Sequence, residues 1–523
     1  MSTAPVLVVG AGHNGLVAAC YLAKAGQEVL VLEAAAAPGG GSRTEETIPG
    51  YRFNTHSAAH NIINMTRIPA ELDLAGAGLH YTEMEPFATG VFAGGRTVRF
   101  HRSVERTVAS IAEHDPAEAD AYGAFMHLST PLARAAVAGL ETTSGSDLLR
   151  SAASRVPALM QAARRAGGMR ELVHDLLSPY GSLLRAHLPS DLTRAPVAAF
   201  AAHGSAGPHV PGSAFFAMWQ AAYHLHGQWH PRGGSQALTD ALVTRLRSYG
   251  GTIRCIAPVR TIHAPGGRAD GVTLAGGERL AATAVVTAID VRTALLDLLD
   301  PPLSGRLRAQ LAAAHRGNAV QLVVHLATDA LPPYPDARPG DWSGLQSHVD
   351  SLDVLQDGFL AADAGHLPDP PPTYAFTPSV YDSSLAPSGR HTVYLACPSA
   401  PARVRGGWDA HAESFAEAMI NQVERRAPGF RDTVQAMHVH HPELMAERGN
   451  WPGAHPMHLD ITPDQLALLR PIPALAGHTV PGLGRLVIAG ASTAPMGGIA
   501  GAPGKAAALA LLTRLDRSSS YQR

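Results

Sequence analysis

Residues 5–33 read PVLVVGAGHNGLVAACYLAKAGQEVLVLE. Pro5–Val9 has the continuous apolar character of a buried strand, Asn14–Ala25 that of a helix, and Glu28–Leu32 that of a second strand. The turn between the first two, Gly10-Ala11-Gly12-His13-Asn14-Gly15, matches G-x-G-x-x-G. Gly10 permits the tight turn, and Gly12 lets a pyrophosphate approach the backbone. Gly15 permits close packing of helix on strand. The helix N-terminus then offers free N–H groups and a favourable dipole to that pyrophosphate. Glu33 ends the second strand and can accept from ribose hydroxyls; its charge would repel a 2′-phosphate. The unit therefore implies a dinucleotide whose adenosine ribose is not phosphorylated. Pro38-Gly39-Gly40-Gly41 follows at once and suggests backbone lying flat against another part of a long cofactor.

A chain of 523 residues, 46% hydrophobic and 16% charged, implies two or more globular domains. The net charge of −2 gives no electrostatic case for nucleic acid or an anionic membrane surface. No apolar run reaches membrane-spanning length. The stretch Val6–Val9 reads as a first strand, not as a signal peptide. Cys20, Cys255 and Cys397 are isolated, which excludes a disulfide framework and a Cys-x-x-Cys redox centre. A reducing, cytoplasmic setting is expected.

Residues 104–224 are Ala-, Leu- and Arg-rich and predict helices. Ala214, Phe215, Met218, Trp219 and Ala222 share one helical face and are expected in a core. Thr252–Cys255, Val259–His263, Gly271–Leu274 and Ala284–Thr287 predict short strands. Asp409–Arg426 predicts an amphipathic helix closed by Ala427-Pro428-Gly429, and Ala502–Leu515 the last helix.

Further stretches give the chain a resemblance. Thr44-Glu45-Glu46, Pro49–Phe53, Pro208–Ser213, Gly227–Gly234, Leu238, Leu242 and Gly250-Gly251 belong to it. So do Pro378-Ser379, Asp382, Ala386-Pro387, Gly389, His391, Asp464-Gln465, Arg470-Pro471, Ala489-Gly490 and Gly497–Gly504. With Gly10–Gly15 and Pro38–Gly41, they resemble the phytoene desaturase and carotenoid isomerase type of FAD-dependent oxidoreductase. The likeness is strongest to its carotenoid-ketolase-like branch, which includes the pyridine nucleotide-disulfide oxidoreductase domain-containing proteins. The resemblance implies an α/β fold with a discontinuous Rossmann-type FAD-binding domain (1–75, 225–300 and 480–523). A mixed α+β substrate domain would take 76–224 and 301–479, with a sheet flooring the cavity and helices over it.

It implies FAD contacts at Gly10, Gly12, His13, Asn14, Gly15, Glu33, Gly40, Gly41, Ser42 and Arg43. Val259 would meet the adenine, Gly490 the pyrophosphate or ribityl chain, and Gly498, Ile499 and Ala502 the flavin ring. Two departures stand out. Many relatives have arginine at the position of Gly41, leaving Arg43 two residues later. Ala494-Pro495-Met496-Gly497 replaces a usual His-Pro-Gly-Gly and removes a histidine from beside the flavin. Lys505, in the first turn of the last helix, is expected to be solvated.

Flavin dehydrogenation needs a C–H bond held against the cofactor, a path for the proton and exclusion of water. Among 27 histidines, His56, His60 and His458 are the candidates to accept that proton. The clusters His224-Leu225-His226 with His230, and His438-Val439-His440-His441, are expected not to bind metal. The favoured function is dehydrogenation of a lipophilic small molecule such as an isoprenoid, polyene or lipophilic secondary metabolite, with the acceptor left open among oxygen, a quinone or another carrier. A redox-neutral double-bond isomerase, an amine oxidase and a non-catalytic flavin-binding protein are the alternatives. Ala491–Thr493 lacks the acidic residue usual in amine oxidases. Arg155–Arg185, with arginines beside Val156, Leu159, Met160, Leu172 and Leu176, is an amphipathic candidate for peripheral membrane contact.

Overall fold

The runs VLVV, VLVL, AVVT and LVI are apolar at nearly every position, as strands covered on both faces must be. The computed structural model, which describes residues 4–141, 146–204 and 206–520, assembles them into one parallel sheet. Its order is Leu486–Ile488, Ala284–Thr287, Val6–Val9, Val29–Leu32, Thr252–Arg254. The chain order reverses between Val6–Val9 and Ala284–Thr287, which makes a crevice at their C-terminal ends, the usual ligand position in such sheets.

Side chains alternate across this sheet. Val6, Val8, Val29, Val31, Ala284, Val286 and Val487 face three helices: His13–Lys24, Gln236–Ser248 and Ala502–Ser520. Leu7, Val9, Leu32, Val285, Leu486 and Ile488 face a four-stranded sheet built from Val259–His263, Gly271–Leu274, Arg279–Ala281 and Leu299–Asp300. Leu459, Ile472 and Leu475 join that second core. Residues from about 459 onward thus also pack on this lobe.

The second lobe is floored by a seven-stranded sheet. Its order is Val434–His440, Ala319–Thr328, His391–Pro401, Tyr374–Phe376, Leu345–Ser347, Ala88–Val91, Thr97–Phe100. Leu322, Val324, Leu326, Val393, Leu395 and Cys397 pack on one face against the helix Ala412–Glu424. The opposite face carries Val323, Tyr374, Phe376, Tyr394 and Ala396 and meets the helical layer. Strand Tyr81–Glu83 pairs with Trp229–Pro231 and ties the lobes together.

Of the expected stripe Ala214, Met218, Trp219 and Ala222 are buried and Phe215 partly so, but at Trp219 it divides into two short helices, Ala214–Met218 and Gln220–His226. The helix expected over Asp409–Arg426 is Ala412–Glu424, preceded by the short turn Trp408–Ala410. Among the described residues no helix is long and apolar enough to cross a membrane, and no group of side chains is arranged to hold a metal ion.

A Cβ on Gly15 would collide with the carbonyl oxygen of Gly10 and lie 2.9 Å from the Ala288 side chain. The obstacle is backbone and cannot rotate away. Gly15→Ala is expected to cost about 3 kcal/mol or more, read as a lowered urea midpoint; an unchanged midpoint would contradict this packing.

Candidate active site

The crevice opens into a cavity of about 550 Å³ that runs from the nucleotide-binding sheet to the floor of the second lobe. At the first end it is lined by Gly10, Gly12, His13, Asn14, Glu33 and Gly40. Gly12 precedes the helix His13–Lys24 without any side-chain cap, and the first turn carries no acidic residue. The bare N–H groups thus stay available to an anion. Gly10 has φ +98°, and a Cβ there would sit 2.9 Å from Ile289. A Cβ on Gly12 would be 4.0 Å from the Gly40 backbone, so two glycine backbones form facing walls. Glu33 accepts from the N–H of Ala11 (2.7 Å) and of Ala35 (2.9 Å), which holds its carboxylate beside the turn. Val259 lines the same end with Ala257 and Pro258.

His13 donates from Nε2 to the carbonyl of Gly498 at 2.9 Å, tying the first helix to the glycine turn before the last one. Gly498 and Ile499 line the cavity there, with Met457 and His458. The loop carrying Met457 and His458 is held by Arg470, whose guanidinium is fully buried and touches no carboxylate. It donates to the carbonyls of Ala491, Asp460, Gln465, Met457 and Leu459 at 2.7–3.2 Å. Burial lowers Arg470 to about 10. Beside it, Arg316 donates from Nε to the His458 carbonyl at 2.7 Å and from Nη2 to Asp290 at 2.6 Å. Asp290 is buried and lines the cavity at the end of the Ala284–Thr287 strand.

Toward the second lobe the wall becomes aromatic and aliphatic: Phe200, Tyr223, Leu345, Tyr374, Phe376 and Tyr394. His56 lines this part and stands 4.4 Å, centroid to centroid, from Trp451 and 5.0 Å from His440. It also lines a smaller side pocket of about 260 Å³ with Arg43, His440 and Arg448.

The model of the flavin containing amine oxidoreductase family matches residues 15–508. The chain belongs to that family. It is an FAD-dependent oxidoreductase, and the glycine walls, bare helix terminus and Glu33 fit that cofactor. The rat pyridine nucleotide-disulfide oxidoreductase domain-containing protein 2 is 28% identical, with 96% of this chain and 92% of that protein covered. The lycopene-forming phytoene desaturase of Pantoea ananas is 25% identical over 98% of this chain and 99% of its own. Cyclohexylamine oxidase from Brevibacterium oxydans shares the fold at a TM-score of 0.60 and 16% identity, covering 99% of this chain and 100% of that one.

Among the family positions expected from sequence, Gly10, Gly12, His13, Asn14, Glu33, Gly40, Gly41, Val259, Gly498 and Ile499 come together on one cavity. Gly15, Ser42, Arg43, Gly490 and Ala502 stand behind or beside it. Ser42 is buried, and its hydroxyl donates to the Ser235 carbonyl at 2.8 Å. Arg43 faces the side pocket and pairs with Glu45 at 3.5 Å. A Cβ on Gly490 would collide with the Ile289 carbonyl, so this glycine serves the junction of two strands. Ala502 is a buried residue at the helix start.

Of the acid–base candidates, His56 and His458 line the cavity and His60 does not. His60 is fully buried, with Nε2 2.5 Å from the Ser235 hydroxyl and Nδ1 3.2 Å from the Tyr81 hydroxyl, so its ring is spent on structure. Lys505 is not solvated; its ammonium pairs with Glu71 at 2.8 Å and Glu141 at 3.6 Å. His230 pairs with Asp382 at 3.0 Å and His224 with the Tyr122 hydroxyl at 2.7 Å. Asp290, Met457, Trp451, His203, Gln321 and Tyr374 also line the cavity and were not expected from sequence. An acidic residue just past a parallel strand was a legible signal for Asp290; the others carry none.

Burial keeps the cavity histidines neutral: His13 and His458 are lowered to about 4, His60 behind them to about 3, and His56 well below the ordinary 6.5. Each of these rings takes up its proton more readily in the unfolded chain. Their contribution to stability is therefore intact above pH 6.5 and is lost as pH falls toward 4. Urea midpoints at pH 7.5, 6.0 and 5.0 should drop stepwise, and the drop should begin above the carboxylate range. A flat profile down to pH 5 would contradict this burial.

Proposed function

We propose that the enzyme dehydrogenates a mainly apolar organic molecule, with His458 taking the proton released when the hydride leaves. The observation that carries this reading is the wall of the second lobe. Phe200, Leu345, Phe376 and Tyr394 surround the space, and the acidic residues lining the cavity are Glu33 and Asp290. Glu33 is held at the nucleotide end and Asp290 is paired with Arg316. An ammonium substrate would find no unpaired carboxylate there, which speaks against an amine.

Bound FAD supplies a two-electron acceptor that takes a hydride at N5. The protein's part is to hold the substrate, exclude water and receive the proton from the neighbouring carbon as the double bond forms. His458 and His56 are both kept neutral by burial, but their electrostatic surroundings differ. Beyond burial, Asp290 favours the protonated form of His458, against opposing contributions from Arg316, His455 and Arg470. Around His56 the neighbours His440, His325 and Arg43 all disfavour it. The proton therefore goes to His458, whose Nδ1 is buried without a partner. Oxygen, a quinone or another carrier would take the electrons from the reduced cofactor.

The nucleotide-binding lobe is assigned residues 1–75, 225–300 and 480–523, extended by the 459–479 segment that packs on it. Peripheral membrane contact is supported by exposed side chains: Val156, Leu159, Met160, Met169, Val173 and Leu177 make up six of the eleven exposed large hydrophobics among the described residues. They flank Arg164 and Arg170, which suit an anionic lipid surface. Replacing Leu159, Met160 and Leu177 by Ser should abolish co-sedimentation with vesicles of anionic phospholipid; retained binding would remove this patch from consideration.

The enzyme reading is tested anaerobically. Lipophilic candidates should bleach the flavin spectrum, and His458→Asn should retain FAD while losing about 10²–10⁴ in turnover. His56→Asn should lose less than about tenfold. Full activity of His458→Asn would remove that assignment. Bleaching by amines alone would replace the reading with amine oxidation, and a rearranged product with no acceptor consumed would replace it with isomerisation.

A further inference from the structure

The apolar end of the cavity holds a polar corner. Gln321 lies where the Ala319–Thr328 strand slips register against His391–Pro401: Val320 pairs with Ala400, yet Leu322 pairs with Cys397. Such a bulge re-aims a side chain, and Gln321 lines the cavity with Pro398 from the opposing strand. Gln321 donates from Nε2 to the Tyr374 hydroxyl at 2.8 Å. Tyr374 is buried and its phenol is pushed well above its ordinary value by burial, so it stays protonated. With its oxygen accepting from Gln321, the hydroxyl proton remains to be donated.

His203 stands beside it, the two rings 4.8 Å apart and inclined by 32°. Its Nδ1 is 3.2 Å from both the Ala199 and Phe200 carbonyls. Carbonyls only accept, so Nδ1 carries the hydrogen and Nε2 is left as a bare acceptor. Burial keeps the ring neutral, which fixes that tautomer. A donor and an acceptor thus stand side by side where Phe200 and Phe376 otherwise exclude water.

We propose that Tyr374, His203 and Gln321 recognise a hydroxyl group on the apolar substrate, the hydroxyl accepting from Tyr374 Oη and donating to His203 Nε2. This rests on the reading of an apolar substrate and names its polar handle. A hydrocarbon leaves both protein groups unmatched in a dry site. An ether accepts from Tyr374 but gives His203 nothing. Sites built to bond a hydroxyl reject analogues that lack it because their own polar atoms are then stranded. The pair touches neither Asp290 nor His458, so this recognition is separable from proton removal.

The test uses the FAD-loaded enzyme under anaerobic conditions, with perturbation of the flavin spectrum read as binding. The probes are geraniol and farnesol, their methyl ethers, and the matching hydrocarbons without oxygen. At least one alcohol should bind about tenfold or more tighter than its ether and its hydrocarbon. Tyr374→Phe, which keeps the ring, and His203→Phe should each bring that ratio close to one while flavin content and melting temperature stay near those of the parent. Equal binding of alcohols, ethers and hydrocarbons overturns the hydroxyl handle and leaves the apolar reading standing. Absence of binding by every probe overturns both. A preference that survives in Tyr374→Phe and in His203→Phe overturns the assignment to this corner.

Discussion

A helix can present its first N–H groups to an anion only if nothing else reaches them, and here that condition is met by backbone meeting backbone. A Cβ on Gly15 would collide with the Gly10 carbonyl, one on Gly504 with the Asn14 carbonyl, and one on Gly490 with the Ile289 carbonyl. The first helix is thereby clamped against the sheet on one side and the last helix on the other. It starts flush with the strand ends, and its terminus opens into the crevice. The His13–Gly498 hydrogen bond then links that terminus to the turn at the other end of the cofactor cradle. Segments nearly 500 residues apart in the chain define one wall, and moving any of these glycines outward by a methyl group would tilt that wall.

The same cavity is organised by charges kept away from water. Arg470 is buried among five carbonyl oxygens with no carboxylate in contact, so its charge is satisfied by dipoles and its geometry by the loop it gathers. Leaving any of these carbonyls without a donor would strand a buried acceptor. The arrangement therefore acts as a rigid clasp for Met457 and His458. Asp290 and Arg316 play the complementary part: they form a paired charge at the cavity edge, and His458 lies within its field. The result is a site in which neutral imidazole is the resting form, while His458 among the cavity-lining histidines has a negative charge near enough to favour its cation.

The parts legible in the sequence are those whose signal is local. The strand–turn–helix–strand unit, the glycine run after Glu33 and the last helix lie where their residues place them, because each depends on neighbours within a few positions. His60 shows the limit. It sits in a segment that leads toward the cavity, yet its ring turns to Ser235, 175 residues away, and to Tyr81. Lys505 likewise reads as a surface cation until Glu71 and Glu141 are brought to it by the packing of other helices. Gln321 and Tyr374 are invisible in sequence because the feature that joins them is a register slip between strands whose partners lie some 80 residues apart. Period-2 alternation shows which residues share a face, but not where a bulge reverses one of them.

The missing C-terminal histidine illustrates how tertiary structure can restore what a local motif lacks. The family resemblance implies a histidine where Ala494 stands. A Cβ on Gly497 would lie 2.8 Å from Met457 Sδ, so the loop carrying Met457 and His458 packs directly on that altered turn. Arg470 bonds this loop to the Ala491 carbonyl, three residues before Ala494. The clasp thus holds an imidazole from a different chain segment beside that turn. On the reading of His458 as the proton acceptor, the substitution in the motif is not a loss of chemistry but a transfer of it.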